Sequence, residues 1–388
     1  MSRNNRKPRI QVKVEVRKRD LRPLWVGLII LAAMFLWTRT VFGGDWTQFR
    51  ANPQNTGQAE GTFNANPKPI WSFETGDAIE STAAIVGDTV YIPSMDGYLY
   101  ALNIKDGSQI WKYHTDAEIK SSPTVHEGEV WFGDEDGILH VVNAKDGKAL
   151  RKFEAEGALV SSPNFLGDTV FFGGYDNILY ALSKKDLKLL WKLETDGYIH
   201  ATPSLSESHL IVGGCDAYLR IIDPVTGKET GKEPLELGGY VAGSSVIHKG
   251  KAYVPTFENQ VICIDLAKRD IVWSYEHPDR QFPFYASPAL TDKLVIAGGR
   301  DKMVHGIDLE TGNGKWTFQA KTKVDSSPVV VDKYVVFGDL AGQLFMLEHA
   351  TGKKVWHYDT GSAVVGSPAI SNGRMVIGLD NGMVLCFQ

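Results

Sequence analysis

Cysteine is scarce in this chain, with three residues among 388, and no two of them form a C-x-x-C pair. A disulfide framework and the commonest zinc and redox motifs are therefore excluded. The ten histidines form no H-x-H, H-x-x-x-H or H-E-x-x-H pattern, and neither a P-loop nor a G-x-S-x-G nucleophile elbow occurs. We therefore expect no metal site and no catalytic set of residues.

The body of the chain also lacks the basic excess of a nucleic-acid-binding protein. Ten of the 41 Lys and Arg residues precede Asp45, together with only two acidic residues. From Asp45 onward there are 31 basic and 44 acidic residues, which is a net charge of −13. Because an acidic surface repels the phosphate backbone, we expect no nucleic-acid partner.

Long apolar runs are absent except for residues 24–37, which nine Lys and Arg residues precede. With residues 38–43 the run reaches the ~20 residues that span a bilayer. We predict a transmembrane signal-anchor over 23–43 and a disordered basic cytoplasmic tail over 1–22, because positive charge stays inside. This predicts a single-pass membrane protein whose remainder is exported from the cytoplasm. A cleaved signal peptide and a soluble protein are the alternatives.

The rest of the chain is a repeat with a period near 40 residues. A small-Ser-Pro element recurs at 40- to 43-residue steps, with degenerate copies ending at Ala83 and Ser245. The intact copies end at Pro123, Pro163, Pro203, Pro288, Pro328 and Pro368. Eight repeats are therefore present.

Each repeat has the pattern of four short strands. In the second repeat the segments SPTVH, EVWFG and ILHVVN alternate β-branched and aromatic residues between Gly- and Asp-containing turns. Four strands in about 40 residues are typical of a β-propeller blade, and no segment has a helical period. We predict an all-β, eight-bladed β-propeller over 67–388, preceded by the transmembrane helix and by a linker or leader over 44–66.

The register of the repeats predicts how the ring closes. Strand 69–75 precedes the first complete blade, and the last repeat, 364–388, has only three strands of its own. We therefore expect strand 69–75 to complete the C-terminal blade and to hold the ring shut without a covalent bond.

The segments ALNIKDGSQIW (101–111), GIDLETGNGKW (306–316) and MLEHATGKKVW (346–356) resemble the A-x-D-x-x-T-G-x-x-x-W motif. This motif is the tryptophan-docking repeat of the PQQ-repeat family, the propellers of quinoprotein (pyrroloquinoline quinone) dehydrogenases and their non-enzymatic, BamB-like relatives. The leader DWTQFRANPQNTG (45–57) also resembles a segment found before such propellers. The resemblance implies a structural Trp between neighbouring blades in six repeats: Trp71, Trp111, Trp191, Trp273, Trp316 and Trp356.

The resemblance to the enzymes is incomplete. Quinoprotein alcohol dehydrogenases typically have two adjacent cysteines and a calcium site at the cofactor, whereas Cys215, Cys263 and Cys386 are far apart in sequence. We therefore expect no bound cofactor and no PQQ-dependent dehydrogenase activity.

One repeat position varies while its neighbours do not. The residue before the small-Ser-Pro element follows an apolar residue and precedes a small one in every blade. Because the first strand of each blade lines the channel of a propeller, we expect this residue to face the channel. The eight residues are Glu80, Lys120, Val160, His200, Ala242, Tyr285, Asp325 and Val365. We predict a partner or ligand rim from the polar members of this set, with Arg280, Phe282 and Phe284 of a neighbouring insertion, because such side chains are common interface anchors. A solvated rim without a ligand is the alternative.

With the N-terminal anchor, the resemblance to the BamB-like relatives implies a membrane-anchored extracytoplasmic propeller that acts as a protein-binding scaffold or accessory subunit of an envelope complex. It also implies a single-pass protein of a bacterial inner membrane, with the N-terminus in the cytoplasm and the propeller in the periplasm. A PQQ- or quinone-binding oxidoreductase and a ligand- or carbohydrate-binding sensor are the alternatives.

Overall fold

The computed structural model describes residues 44–388, and every regular element in this range is a β-strand. Among these residues no helix is long and apolar enough to span a membrane. The predicted cytoplasmic tail, 1–22, and the predicted anchor, 23–43, lie outside the described residues.

The 33 strands form eight sheets of four antiparallel strands, one of which carries an additional two-residue strand in parallel. This confirms the predicted propeller of four-stranded blades. A two-residue strand, β1 (Gln58–Ala59), and strand β2 (Pro69–Glu74) precede the first blade. Blades 1 to 3 consist of β3 (Ala84–Val86), β4 (Thr89–Pro93), β5 (Tyr98–Asn103), β6 (Gln109–His114), β7 (Thr124–His126), β8 (Glu129–Gly133), β9 (Ile138–Asn143), β10 (Ala149–Glu154), β11 (Asn164–Leu166), β12 (Thr169–Gly173), β13 (Ile178–Ser183) and β14 (Leu189–Glu194).

Blades 4 to 6 consist of β15 (Ser204–Leu205), β16 (Leu210–Gly213), β17 (Tyr218–Ile222), β18 (Leu235–Glu236), β19 (Val246–His248), β20 (Lys251–Pro255), β21 (Gln260–Asp265), β22 (Asp270–Glu276), β23 (Ala289–Leu290), β24 (Leu294–Gly298), β25 (Met303–Asp308) and β26 (Gly314–Gln319). Blades 7 and 8 consist of β27 (Val329–Val331), β28 (Tyr334–Gly338), β29 (Gln343–Glu348), β30 (Lys354–Asp359), β31 (Ala369–Ser371), β32 (Arg374–Gly378) and β33 (Met383–Phe387).

Burial differs between the strands of a blade in the way that face-to-face packing requires. The second and third strands, such as β4 and β5, are buried along almost their whole length, because each of their faces meets a neighbouring blade. The outer strands, such as β6, alternate between exposed and less exposed residues, since one side meets water. The core is therefore a series of apolar layers between blades.

The ring closes without a covalent bond. Strand β2 pairs antiparallel with β33 as the fourth strand of blade 8, with Trp71 opposite Cys386 and Glu74 opposite Met383. Two backbone hydrogen bonds between Lys68 and Gln388 extend the pairing, with N–O distances of 2.9 and 3.0 Å. The segments that pair are those that the register of the repeats predicted.

Tryptophans connect successive blades. In five blades the indole N–H donates to a backbone carbonyl of the next blade at 2.9–3.3 Å, as Trp71 does to Ile104. A Cβ on Gly107, whose φ is +74°, would lie 2.7 Å from the Trp71 ring, so this turn needs glycine. Trp356 packs edge-on against Phe387 instead, with ring centroids 5.7 Å apart. The tryptophans therefore serve the docking role that the resemblance implied.

The leader before the repeats crosses the ring at one end. Its carbonyl groups accept hydrogen bonds from backbone N–H groups of the inner strand in blades 1, 2, 4, 5, 6 and 7. For example, Val125 N–H donates to the carbonyl of Thr47, and Val330 N–H donates to that of Gly57. In blade 3 the side chain of Asn164 bonds to Gln48 and to the carbonyl of Pro53. Residues 46–57 are therefore packed against seven inner strands as the floor of the ring.

Candidate functional site

A cavity of about 330 Å³ lies on the axis of the ring. All eight residues of the variable repeat position line it, because each inner segment brings its copy to the channel. The structure thus brings together Glu80, Lys120, His200, Tyr285 and Asp325 of the predicted rim.

A ring of hydroxyl groups lines the same cavity two residues further along each inner segment. Its members are Thr82, Ser122, Ser162, Thr202, Ser244, Ser287, Ser327 and Ser367. Seven of these oxygens accept a hydrogen bond from the backbone N–H of the corresponding residue in the preceding blade, at 2.8–3.1 Å. The hydroxyl protons of these seven residues have no acceptor within residues 44–388. We call these eight residues the hydroxyl ring.

Opposite charges meet at blades 1 and 2 of the cavity. The Lys120 ammonium lies 3.2 Å from the Glu135 carboxylate and 3.8 Å from that of Glu118. Glu80 forms no ion pair or hydrogen bond with any described residue, although the charge of Lys120 acts on it through space. Burial raises the pKa of Glu80, and Lys120 partly opposes that effect. Glu80 is therefore the free carboxylate of this rim.

Aromatic and charged side chains form the opposite wall. The Tyr175 hydroxyl lies 2.7 Å from Nδ1 of His200, and the Tyr285 hydroxyl lies 3.4 Å from Nε2. Burial, with a smaller effect of Lys120, lowers the pKa of His200, so the imidazole is neutral at pH 7. Arg300 holds Asp325 with two hydrogen bonds of 2.9 and 3.0 Å, and its guanidinium lies 4.2 Å from the centre of the Tyr285 ring.

The leader supplies the floor of the cavity and a buried charge. Phe49 lines the cavity, and the next residue, Arg50, is 0% exposed. Nη2 of Arg50 donates to the carbonyl of Pro288 at 2.8 Å, whereas Nε and Nη1 have no partner among residues 44–388. Burial lowers the pKa of Arg50 to about 9, which leaves it charged at neutral pH. Pro288 follows Ser287 of the hydroxyl ring, so this guanidinium lies close to the ring.

The remaining predicted rim residues do not line the cavity. Phe284 is only 2% exposed and packs in the core of blades 5 and 6 with Tyr275 and Leu290, because it occupies the apolar repeat position before Tyr285. Including Phe284 in an exposed rim was therefore wrong. Phe282 is 52% exposed, and Arg280 donates to the carbonyl of Asp301 at 3.0 Å.

Three exposed aromatic residues lie on consecutive loops beside the cavity mouth. Tyr198, Tyr240 and Phe282 are 52%, 56% and 52% exposed, in the loops that lead into blades 4, 5 and 6. The backbone carbonyl of Tyr198 accepts a hydrogen bond from Cys215 N–H, and that of Tyr240 accepts one from Phe257 N–H. The same bond occurs in every blade, and its acceptors elsewhere are Ala78, Glu118, Ala158, Pro283, Lys323 and Ala363.

This bond constrains the backbone at that repeat position and leaves the side chain free. The fold therefore does not require the tyrosines that occupy this position in blades 4 and 5. Nor does it require Phe282, which precedes the acceptor Pro283 of blade 6. We call Tyr198, Tyr240 and Phe282 the aromatic arc. The sequence prediction missed both tyrosines, although aligning the repeats two positions before the rim would have revealed them.

The potential metal ligands and the cysteines of the described residues are dispersed. Within residues 44–388 no group of three or more His, Cys, Asp and Glu residues is placed to hold a metal ion. Cys215, Cys263 and Cys386 are all free thiols, and the latter two are buried. No pair of adjacent cysteines therefore faces the cavity.

The fold, the 40-residue repeat and the docked tryptophans define an eight-bladed propeller of the PQQ-repeat class. The family model described as outer membrane protein assembly factor BamB matches residues 62–155, 133–318 and 215–388. Since these matches together cover most of the chain, the protein belongs to this family. Comparison with curated protein sequences gave no match.

Solved structures with the same fold include both branches of the class. BamB from Moraxella catarrhalis aligns with a TM-score of 0.73 and 17% identity, over 83% of this chain and 99% of that one. Quinohemoprotein alcohol dehydrogenase from Comamonas testosteroni gives 0.75 and 13%, over 89% and 80%. A europium-containing methanol dehydrogenase gives 0.72 and 14%, over 87% and 90%. Identities this low establish the fold alone.

Proposed function

We propose that this protein is a protein-binding scaffold or accessory subunit of a bacterial envelope complex, held in the inner membrane by residues 23–43. The propeller would then lie in the periplasm and present the face with the cavity mouth to a protein partner. Membership of the BamB family supports this class of function.

The aromatic arc is the observation that carries the proposal. Tyrosine and phenylalanine are enriched in the buried centres of interfaces, where they remove a large apolar area from water. Three such side chains, each about half exposed, lie on neighbouring loops of one face, while the equivalent acceptor positions of blades 1, 3 and 8 are alanine. A partner that covers blades 4 to 6 would bury all three.

A PQQ- or quinone-binding oxidoreductase is the second candidate. The axial cavity and the fold shared with two dehydrogenases favour it. Absorbance of the purified protein separates the two candidates, because a bound quinone absorbs in the near ultraviolet and visible range and a scaffold does not.

The test of the scaffold is affinity purification of the full-length protein from its native membranes in mild detergent. We expect a stoichiometric partner that is lost from the variant Tyr198→Ser/Tyr240→Ser/Phe282→Ser. The matched control is Leu190→Ser, which removes a 53% exposed apolar side chain from the outer strand β14 and should leave the partner bound. Equal recovery with the triple variant would refute the arc as the docking surface.

A further inference from the structure

The base of the axial cavity is rich in hydrogen-bond donors. Seven hydroxyl oxygens of the hydroxyl ring accept a hydrogen bond from a backbone N–H of the preceding blade, so each O–H remains free to donate. Donors that converge around one axis suit an oxyanion, because each O–H···O⁻ bond is stronger than a bond to a neutral acceptor.

Arg50 does not line the cavity, but it adds a positive charge beside the same ring, since Nη2 donates to the carbonyl of Pro288, the residue after Ser287. Its guanidinium is fully buried, has no counter-ion among residues 44–388, and leaves Nε and Nη1 unpartnered. Buried charges without a partner are rare because their desolvation is costly. A bound anion in the cavity would offset part of that cost, since the field of an unpaired charge extends far in a medium of low dielectric constant.

The rim of the cavity has the opposite polarity. Lys120 is paired with Glu135 and Arg300 with Asp325, so among the described residues that line the cavity Glu80 is the carboxylate without an ion pair. A free phosphate would meet three carboxylates at this level of the cavity, whereas an ammonium group would be attracted to Glu80. The donors and the positive charge thus lie at the base, and the free negative charge lies at the rim.

We propose that the axial cavity binds a small zwitterion, with its carboxylate against the hydroxyl ring and its ammonium group beside Glu80. A cavity of about 330 Å³ admits a molecule of the size of a dipeptide. The proposed contacts use no side chain of the aromatic arc, although Tyr198 stacks on Tyr175 of the cavity wall with ring centroids 4.9 Å apart. Binding of the zwitterion can therefore be measured without the proposed partner.

The experiment is isothermal titration of the full-length protein in mild detergent with glycylglycine, N-acetylglycine and glycinamide. The second probe lacks the ammonium group and the third lacks the carboxylate. We expect heat from glycylglycine and affinities weaker by roughly tenfold or more for both blocked probes, since each loses a charge-assisted bond. Absence of binding by glycylglycine, or equal binding of either blocked probe, would overturn the proposal.

Two sets of variants locate the site. Ser287→Ala/Ser327→Ala removes two neighbouring donors on the side of the ring next to Arg50 and should weaken glycylglycine by roughly tenfold or more. Its control, Ser287→Thr/Ser327→Thr, keeps both hydroxyls and should bind normally, because Thr82 and Thr202 occupy the same position in blades 1 and 4.

Glu80→Gln tests the rim independently of the ring hydroxyls, which matter for folding. It should weaken glycylglycine and leave N-acetylglycine unchanged, because only the dipeptide carries an ammonium group. Thermal unfolding of each variant shows that it is folded. If Glu80→Gln and the alanine pair bind glycylglycine as the unaltered protein does, the assignment of the cavity is wrong.

Discussion

Replacement of Trp71 by alanine tests how the ring is held shut. Trp71 lies on β2, the strand that completes blade 8, yet its indole packs against Gly107 and donates to the Ile104 carbonyl of blade 1 at 2.9 Å. It therefore couples the closing strand to the first blade. The variant Trp71→Ala removes this contact and leaves the backbone pairing of β2 with β33 in place.

The expected loss follows from the buried ring. Truncating a buried Trp to Ala costs about 3–5 kcal/mol. Loss of the hydrogen bond from the indole to the Ile104 carbonyl adds little to this cost. That carbonyl keeps a donor in the variant, because Nη1 of Arg374 also donates to it at 3.1 Å. For the roughly 345 residues of the leader and propeller together the unfolding entropy is about 0.7 kcal/mol/K, so Tm should fall by roughly 5 °C.

Thermal and denaturant unfolding followed by circular dichroism measure this loss. Ile70→Ala is the matched control, since Ile70 is the preceding residue of the same strand and is 41% exposed, against 9% for Trp71. It should cost less than about 0.5 kcal/mol. Equal losses for the two variants would refute the claim that tryptophan docking stabilises the closure.

Two further predictions concern a turn and a buried histidine. Gly107→Ala should destabilise the protein more than Gly87→Ala, because both glycines have positive φ but only at Gly107 would a Cβ meet Trp71, and equal midpoints in urea would contradict this. Because burial lowers the pKa of His200 below its ordinary value of 6.5, the unfolded chain takes up a proton first and stability should fall as pH drops below 6.5. His200→Gln should reduce that fall between pH 7 and pH 5, and unchanged pH profiles of the unfolding free energy would contradict this.

Much of the fold could be predicted because its causes are local. The alternation in segments such as EVWFG and the Asp-Gly turns act over a few residues, and eight copies of one pattern define eight blades. The cavity lining could also be predicted, since repetition brings equivalent positions to one axis. Burial within the insertion before Tyr285 was harder to predict, because two phenylalanines only two positions apart differ: Phe282 is exposed and Phe284 is buried.

The sequence by itself determined the period, the number of blades, the closing strand and the eight side chains of the rim, because each depends on a pattern that recurs along the chain. Only the tertiary structure decided which of these side chains meet. His200 and Tyr285 are 85 residues apart, and Arg50 lies under Pro288 across 238 residues. No repeat encodes such contacts, since they exist only after the ring has closed and the leader has packed across its floor.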